Sequence, residues 1–291
     1  MADMTARGAR PSAAIRDQYQ QGLTALISEM VNSVEYWLTA RYTAREDEIV
    51  AQDASPTRDL EKELQELMKQ WGSRFDDYAT QRAKWFARRV NTNTTNQLKG
   101  ALKDAGLTVA FRNSRRVNNI YKSVIANNVN LIRTIPQQFL GNVNTIVMQS
   151  IQNGRDMGFI AKQVREQYGV TKNRAITIAR DQTNKATEAV SNARCADIGI
   201  EYGIWMHRSG SKVPRSSHVK MNGKRFKLSE GLYDDDPKVN RKVKPAELIN
   251  CHCTFRLDLS TITGEGIAMD SRRGITYIHF PAATVEWRMV A

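Results

Sequence analysis

Residues 56–90 read PTRDLEKELQELMKQWGSRFDDYATQRAKWFARRV, and their rhythm decides the class of fold. Leu60, Leu64, Leu67, Trp71, Phe75, Tyr78, Trp85 and Val90 recur mostly at intervals of three, four or seven, which aligns them on one face of an α-helix about eight turns long. No proline lies between Pro56 and Pro136, so nothing forces a kink. Pro56 suits the first helical position and Ser55 the N-cap before it. So long a stripe, with charges on its other faces, needs neighbouring helices or another subunit to cover it. Upstream, Leu23, Ile27, Met30, Val34, Trp37 and Leu38 repeat the same spacing, with a break at residues 53–57 between the two helices.

Downstream the helical rhythm continues with expected interruptions. Thr92 to Asn96 is expected to fray, because Thr and Asn side chains compete for backbone hydrogen bonds. Val117, Ile120, Val124, Ile125, Val129 and Ile132 predict another helix that Pro136 interrupts or ends, and Val143 to Ile151 resumes it. Gly154 and Gly158 mark a turn. A short helix over 159–168 is expected to stop at Gly169, with Thr171 capping a further helix from about Lys172 to Asp197 that Gly199 closes. After Gly199 the character changes to short mixed segments bounded by Gly, Pro, Asn and Asp. Residues 202–207, 225–228 and 253–257 read as strands, Asn222-Gly223 as a hairpin turn, and 232–245 as a surface loop. Residues 275–280 and 284–287 alternate like strands. The fold class is α+β: long helices over the first two thirds, then a small mixed lobe with short antiparallel strands. In these terms 1–110 is a long-helical region, 111–200 a second helical region, 201–260 the β-containing lobe and 261–291 a C-terminal tail.

The chain has 291 residues and a formal net charge of +13. Residues 1–100 balance 14 basic against 14 acidic side chains, whereas 101–200 carry 14 against 6 and 201–291 carry 15 against 10. The excess of positive charge therefore sits in the last two thirds and points to a polyanionic partner, nucleic acid first, or to a merely soluble basic surface. No apolar run approaches the ~18 residues of a membrane-spanning helix. Three cysteines, two of them one residue apart, do not make a disulfide framework and fit a reducing compartment.

The residues that could carry chemistry gather late in the chain. Between His207 and Cys253 lie three of the four histidines, His207, His218 and His252, and two of the three cysteines, Cys251 and Cys253. On an extended strand the two cysteines point the same way and His252 the other. His218, Cys251 and Cys253 then supply three of the four positions of a zinc tetrahedron, or they fill a small core. A nuclease would use His218 and His207 as acid and base, Arg215 or Lys220 on a phosphate, and Asp234 to Asp236 on a divalent ion. A helix-turn-helix would run Ile160–Val164, turn at 168–171, and present Lys172, Asn173 and Arg174 on a recognition helix ending near Arg180. No P-loop, G-x-S-x-G, HExxH or dinucleotide-binding glycine pattern occurs.

Ala175 to Asn184, with Arg180, Asp181, Gln182 and Asn184, then Trp205, Pro214-Arg215-Ser-Ser-His218, Met221-Asn-Gly223, Pro245 and Cys251-His-Cys253 follow one another in a recognisable order. The pattern resembles the phage Mu F-like head morphogenesis family over about residues 155–257. His252 departs from it, since arginine is more frequent between the family's cysteines. The resemblance implies a minor capsid protein of a tailed phage, present in few copies, that binds the portal protein at the head vertex and assists assembly or DNA passage. It implies a virion component of the capsid interior, in the host cytoplasm during assembly. Packaged double-stranded DNA is then the non-specific polyanion, and no membrane is involved. Contact of the neutral N-terminal helices with portal, coat or scaffold protein follows from the charge partition. In this reading Arg215, His218 and the two cysteines hold the lobe together, no reaction is catalysed, and no cofactor is needed unless zinc occupies the cysteine pair.

Overall fold

The computed structural model describes residues 5–43, 56–152, 157–208, 213–260 and 275–279. In chain order these form β1 (Thr5–Ala6), α1 (Ala13–Thr43), α2 (Pro56–Asp104), β2 (Thr108–Phe111), α3 (Arg115–Gln152), α4 (Met157–Asp197), β3 (Tyr202–Met206), α5 (Ser216–Met221), β4 (Arg225–Lys227), β5 (Leu232–Asp234), β6 (Arg241–Val243), β7 (Thr254–Asp258) and β8 (Ile275–His279). Long helices come first and short antiparallel strands follow, the α+β class that the hydrophobic periods predict. The chain divides into two compact units. One comprises Asp17–Trp85 and Ile125–Ala179, the other Met1–Arg16, Phe86–Val124 and Arg180–Ala291.

The all-helical unit is built from the apolar stripes. Tyr19, Leu23, Ile27, Met30, Val34 and Leu38 of α1 are buried, as are Leu64, Leu67, Trp71 and Phe75 of α2. Each such side chain contributes about 1.5–3 kcal/mol when fully removed from water. Trp37, expected on the packed stripe, is instead exposed beside Tyr36. Tyr19 donates its hydroxyl to Asn128 Oδ1 at 2.8 Å, which satisfies both polar groups inside this core.

Two expected breaks in this unit are absent. Pro136 lies within α3 rather than ending it. Ile132, Ile135, Phe139 and Leu140 around it are all buried, and keeping that apolar face in register outweighs the lost backbone hydrogen bond. Gly169 likewise lies inside α4, which runs unbroken through both expected short helices. Thr171 does not cap a new helix. Its hydroxyl donates to Gln167 O at 2.8 Å, the back-bond of a residue in a helix interior. A helix-turn-helix needs a turn at 168–171, so that reading is withdrawn. The expected cap Ser55, the turn residue Gly154 and the strand at 284–287 lie outside the described residues.

The second unit holds the strands. Its main sheet has the order β1-β7-β3-β4, antiparallel throughout. Trp205 pairs with Phe255, and Gly203 stands between Phe226 and Leu257. A Cβ at Gly203 would come within 2.9 Å of the Leu228 and Phe255 side chains, so the close strand packing excludes any larger residue. Trp205, Phe226, Phe255 and Leu257 form one core with Leu98, Leu102 and Cys195 of the flanking helices. The segment 92–96 does not fray. Thr94 and Thr95 are buried, and Thr95 Oγ1 accepts from Arg194 Nε at 3.2 Å, so burial and a tertiary partner decide the conformation.

The lobe departs from its sequence reading twice more. Residues 232–245 are not a loop. β5 and β6 pair as a hairpin, with Asp234 and Val243 fully buried. Asn222-Gly223 does not join two strands but turns α5 into β4, with Gly223 at φ +79° and its N–H on Trp205 O at 2.8 Å. Farther on, β8 pairs with β2 in a separate two-stranded sheet.

Replacing Pro136 with alanine restores a backbone donor and removes the ring from the α3 interior. The Pro136→Ala variant is expected to gain about 1–3 kcal/mol in urea unfolding monitored by circular dichroism. A loss of stability would show that the helix has been shaped around the ring.

Candidate functional site

α4 is buried on almost every side from Asp181 to Glu188, and the polar residues of this stretch face the segment that precedes β7. Arg180 Nη2 donates to Asn250 Oδ1 at 2.7 Å, Asp181 Oδ1 accepts the Asn250 backbone N–H at 3.1 Å, and Asn184 Nδ2 donates to Cys251 O at 3.0 Å. Lys185 completes the grip through an ion pair with Asp181 at 2.8 Å. From the other side Arg215 Nη2 donates to Ile249 O at 3.0 Å. Asn250 has φ +59°, a conformation that asparagine tolerates better than most residues. Three residues of chain are therefore fixed by four side chains. Two of the spacings that matter in sequence, at 180–184 and at 215, share this single purpose.

The held segment delivers Cys251 and Cys253 to His218 of α5. His218 Nδ1 stands 3.4 Å from Cys251 Sγ and 3.6 Å from Cys253 Sγ, and His207 Nδ1 stands 3.7 Å from Cys253 Sγ. His218, Cys251 and Cys253 are buried at 2–3% exposure. The other ring nitrogen of His218, Nε2, lies 3.1 Å from Asp234 Oδ2. The carboxylate can only accept, so Nε2 carries the proton. Trp205 packs edge-on to His218 with centroids 5.3 Å apart. The expectation that both sulfurs face one point therefore holds. His252 stands apart, held below its usual value by burial and by the charges of Arg180 and Arg16.

The electrostatics follow from this packing. A hydrogen bond from Cys253 and, against the upward push of burial, the approach of His218 drive the Cys251 thiol well below the ordinary thiol range. Cys253 is raised in turn, first by its hydrogen bond to Cys251 and then by burial. Burial works to lower His218, but Cys251 and Asp234 outweigh it and hold it above the usual imidazole value. For Asp234 burial acts upward, and Ser217, the Asp236 N–H and His218 together hold it below the usual carboxyl value.

The acidic triplet is not a joint cation site. Asp234 belongs to His218, Asp235 pairs with Lys220 at 3.3 Å, and Asp236 Oδ1 accepts the Lys238 N–H within the hairpin turn. His218 presents no face to solvent and both ring nitrogens are engaged, so it is poorly placed as the acid or base of a nuclease. Asn250 is not legible as a site residue from sequence, its only signal being an asparagine next to a cysteine pair. Asp234 is legible only as part of a cation-binding triplet in an apparent loop, not as the partner of His218.

A second feature of the same unit is a cavity of about 300 Å³ lined by Arg7, Arg10, Arg208 and Arg256 with His207, Met206, Thr254, Phe255 and Gly8. No carboxylate lines it. Burial, then the charge of Arg10, lowers Arg208 from the usual guanidinium value.

Residues 141–256 match the family described as phage Mu protein F like protein. The family is one of phage head proteins. An uncharacterized protein of Haemophilus influenzae (strain ATCC 51907 / DSM 11121 / KW20 / Rd) is 30% identical over 164 residues, 56% of this chain and 34% of the relative. The chain thus spans about a third of that curated relative's length. No solved structure matches it.

The grip on residues 249–251 makes a prediction that separates it from surface pairing. Asp181→Ala removes a charge-assisted bond between a buried carboxylate and the Asn250 N–H, and is expected to cost about 1–3 kcal/mol in urea unfolding followed by tryptophan fluorescence. Lys220→Ala, which removes an exposed pair, should stay within about 0.5 kcal/mol.

Proposed function

We propose that this chain is a minor head protein that binds the portal vertex from the capsid interior, contacts packaged double-stranded DNA without sequence preference, and assists head assembly and DNA packaging or delivery. The family match supports a virion component. Among the described residues no helix is long and apolar enough to cross a membrane. The observation that carries the DNA contact is the cavity walled by four arginines and bare of carboxylates. Guanidinium groups so placed bind phosphate oxygens by charge-assisted hydrogen bonds, and the release of condensed counterions supplies affinity that is blind to base sequence. The unbroken α4, with no turn at 168–171, favours such a backbone contact over base reading. The burial of His218 favours a binding role over hydrolysis. For the portal, a protein partner suits the helical unit, where Tyr36 and Trp37 lie exposed as an edge-to-face pair on α1.

Two experiments test this reading. Duplex binding measured against salt is expected to weaken steeply and linearly in log–log form, with equal affinity for unrelated sequences. Arg10→Ala and Arg208→Ala should each reduce the slope by about 1. A preferred site that survives physiological salt, or no binding at low salt, would sink the DNA assignment. Co-expression with the cognate portal protein should yield a complex that Tyr36→Ala/Trp37→Ala weakens at least tenfold. Portal that fails to co-purify with the unaltered chain removes the portal assignment.

A further inference from the structure

Side chains that ligate soft metals gather in the β-lobe from three separate stretches of chain, three of them around one point and His207 beside Cys253. His207 follows β3, His218 lies on α5, and Cys251 and Cys253 precede β7. The donor atoms of His218, Cys251 and Cys253 all lie within 4.8 Å of one another. Around tetrahedral zinc, with metal–sulfur and metal–nitrogen bonds near 2.3 and 2.0–2.1 Å, a neighbouring sulfur and nitrogen stand about 3.6 Å apart. The three sulfur–nitrogen spacings here are 3.4, 3.6 and 3.7 Å.

Those spacings would also suit thiol–imidazole hydrogen bonds, so the decision rests on what stands behind the ligands. The proton on His218 Nε2 is directed at Asp234, whose side chain is fully buried and whose other oxygen accepts the Asp236 N–H at 3.0 Å. This fixes the ring tautomer and aims the Nδ1 lone pair at both sulfurs. A carboxylate behind an imidazole is the usual outer support of a histidine metal ligand. A hydrogen-bonded core histidine needs no such support. Behind the sulfurs, the buried Trp205 indole N–H is directed at Cys253. A donor aimed at a sulfur is held more strongly by a metal-bound thiolate than by a neutral thiol.

We propose that the lobe holds one structural zinc ion, with Cys251 Sγ, Cys253 Sγ and His218 Nδ1 as ligands, and that His207, whose Nδ1 stands beside Cys253 but outside that cluster, moves in to close the tetrahedron. Two thiolates and two neutral imidazoles match the charge and softness of zinc better than those of magnesium or calcium. Binding releases the thiol protons to solvent and ties β3, α5 and the start of β7 to one point. That is a sizeable contribution for strands of two to five residues. With His207 in place no coordination position is left for water, so the ion holds structure and does not catalyse. His207 also lines the arginine cavity, and the ion therefore sets one wall of it.

The test uses the full chain, expressed in zinc-supplemented medium and purified reduced without chelator. Elemental analysis is expected to find about one zinc per chain. After removal of zinc, titration with cobalt(II) should saturate at about one equivalent, with the intense visible bands of a tetrahedral ion and a thiolate charge-transfer band. Asp234→Asn should weaken cobalt binding by about 10–100-fold while keeping the tetrahedral spectrum. His207→Ala should change the visible envelope. The proposal is overturned if the reduced, folded, unaltered chain binds neither metal at stoichiometry. It also fails if cobalt gives only the weak bands of an octahedral ion, or if Cys251→Ser/Cys253→Ser binds as the unaltered chain does. Unchanged spectrum and affinity in His207→Ala would overturn the four-ligand assignment. Because the unaltered chain alone decides the first two outcomes, a variant that fails to fold does not rescue the idea.

Discussion

Residues 249–251 are held by Asp181 and Asn184 of α4 and by Arg215 through their backbone, and by Arg180 through the Asn250 side chain. The lobe depends on this grip. Asn250 sits in the left-handed region, a conformation that persists only where surrounding bonds over-determine it. Its consequence is positional. The next residues are the cysteine pair, and β7 begins directly after them, so the register of the central strand follows from where α4 holds the chain. A helix suits this task because residues 180, 181 and 184 occupy one face at rigid spacing. The buried polar groups also demand it, since an unpaired carboxylate or amide there would cost more than the bond contributes.

From that anchor the remaining order of the lobe follows by contact. Cys251 and Cys253 meet His218, His218 meets Asp234, and Asp234 brings the β5–β6 hairpin against α5. Trp205 covers the imidazole and stacks in turn on Phe226, which meets Phe255. Polar chain and aromatic chain share the same few residues. The strands themselves are too short to be independently stable, so the side-chain network and the flanking helices supply what the ladders lack.

The positive charge gains a location from the fold. Sequence partition put the excess after residue 100, yet the arginine cavity also recruits Arg7 and Arg10 from the N-terminal stretch, because β1 pairs with β7 and brings that stretch beside residues 254–256. A segment that is neutral on average thus contributes two of four cavity arginines. Net charge over a hundred residues says little about which guanidinium groups face one another.

The residue pattern, a property of the chain itself, determined the long helices, the change of character after Gly199, and three strands of the main sheet, but not β1. Spacing alone also put both sulfurs on one side of an extended backbone. The helix breaks were misread for a common reason. Thr92–Asn96, Pro136 and Gly169 carry local preferences of about 1–3 kcal/mol against helix. Buried apolar faces and tertiary partners such as Arg194 on Thr95 outweigh them, and neither is visible in a local window. Asp234 was hidden likewise: three acidic residues before a proline look solvated until a histidine sixteen residues earlier is folded against one of them. Which polar residues lie inside, and whose partner each one is, only the tertiary structure decided. A buried charge is tolerable only where distant parts of the chain supply its hydrogen bonds.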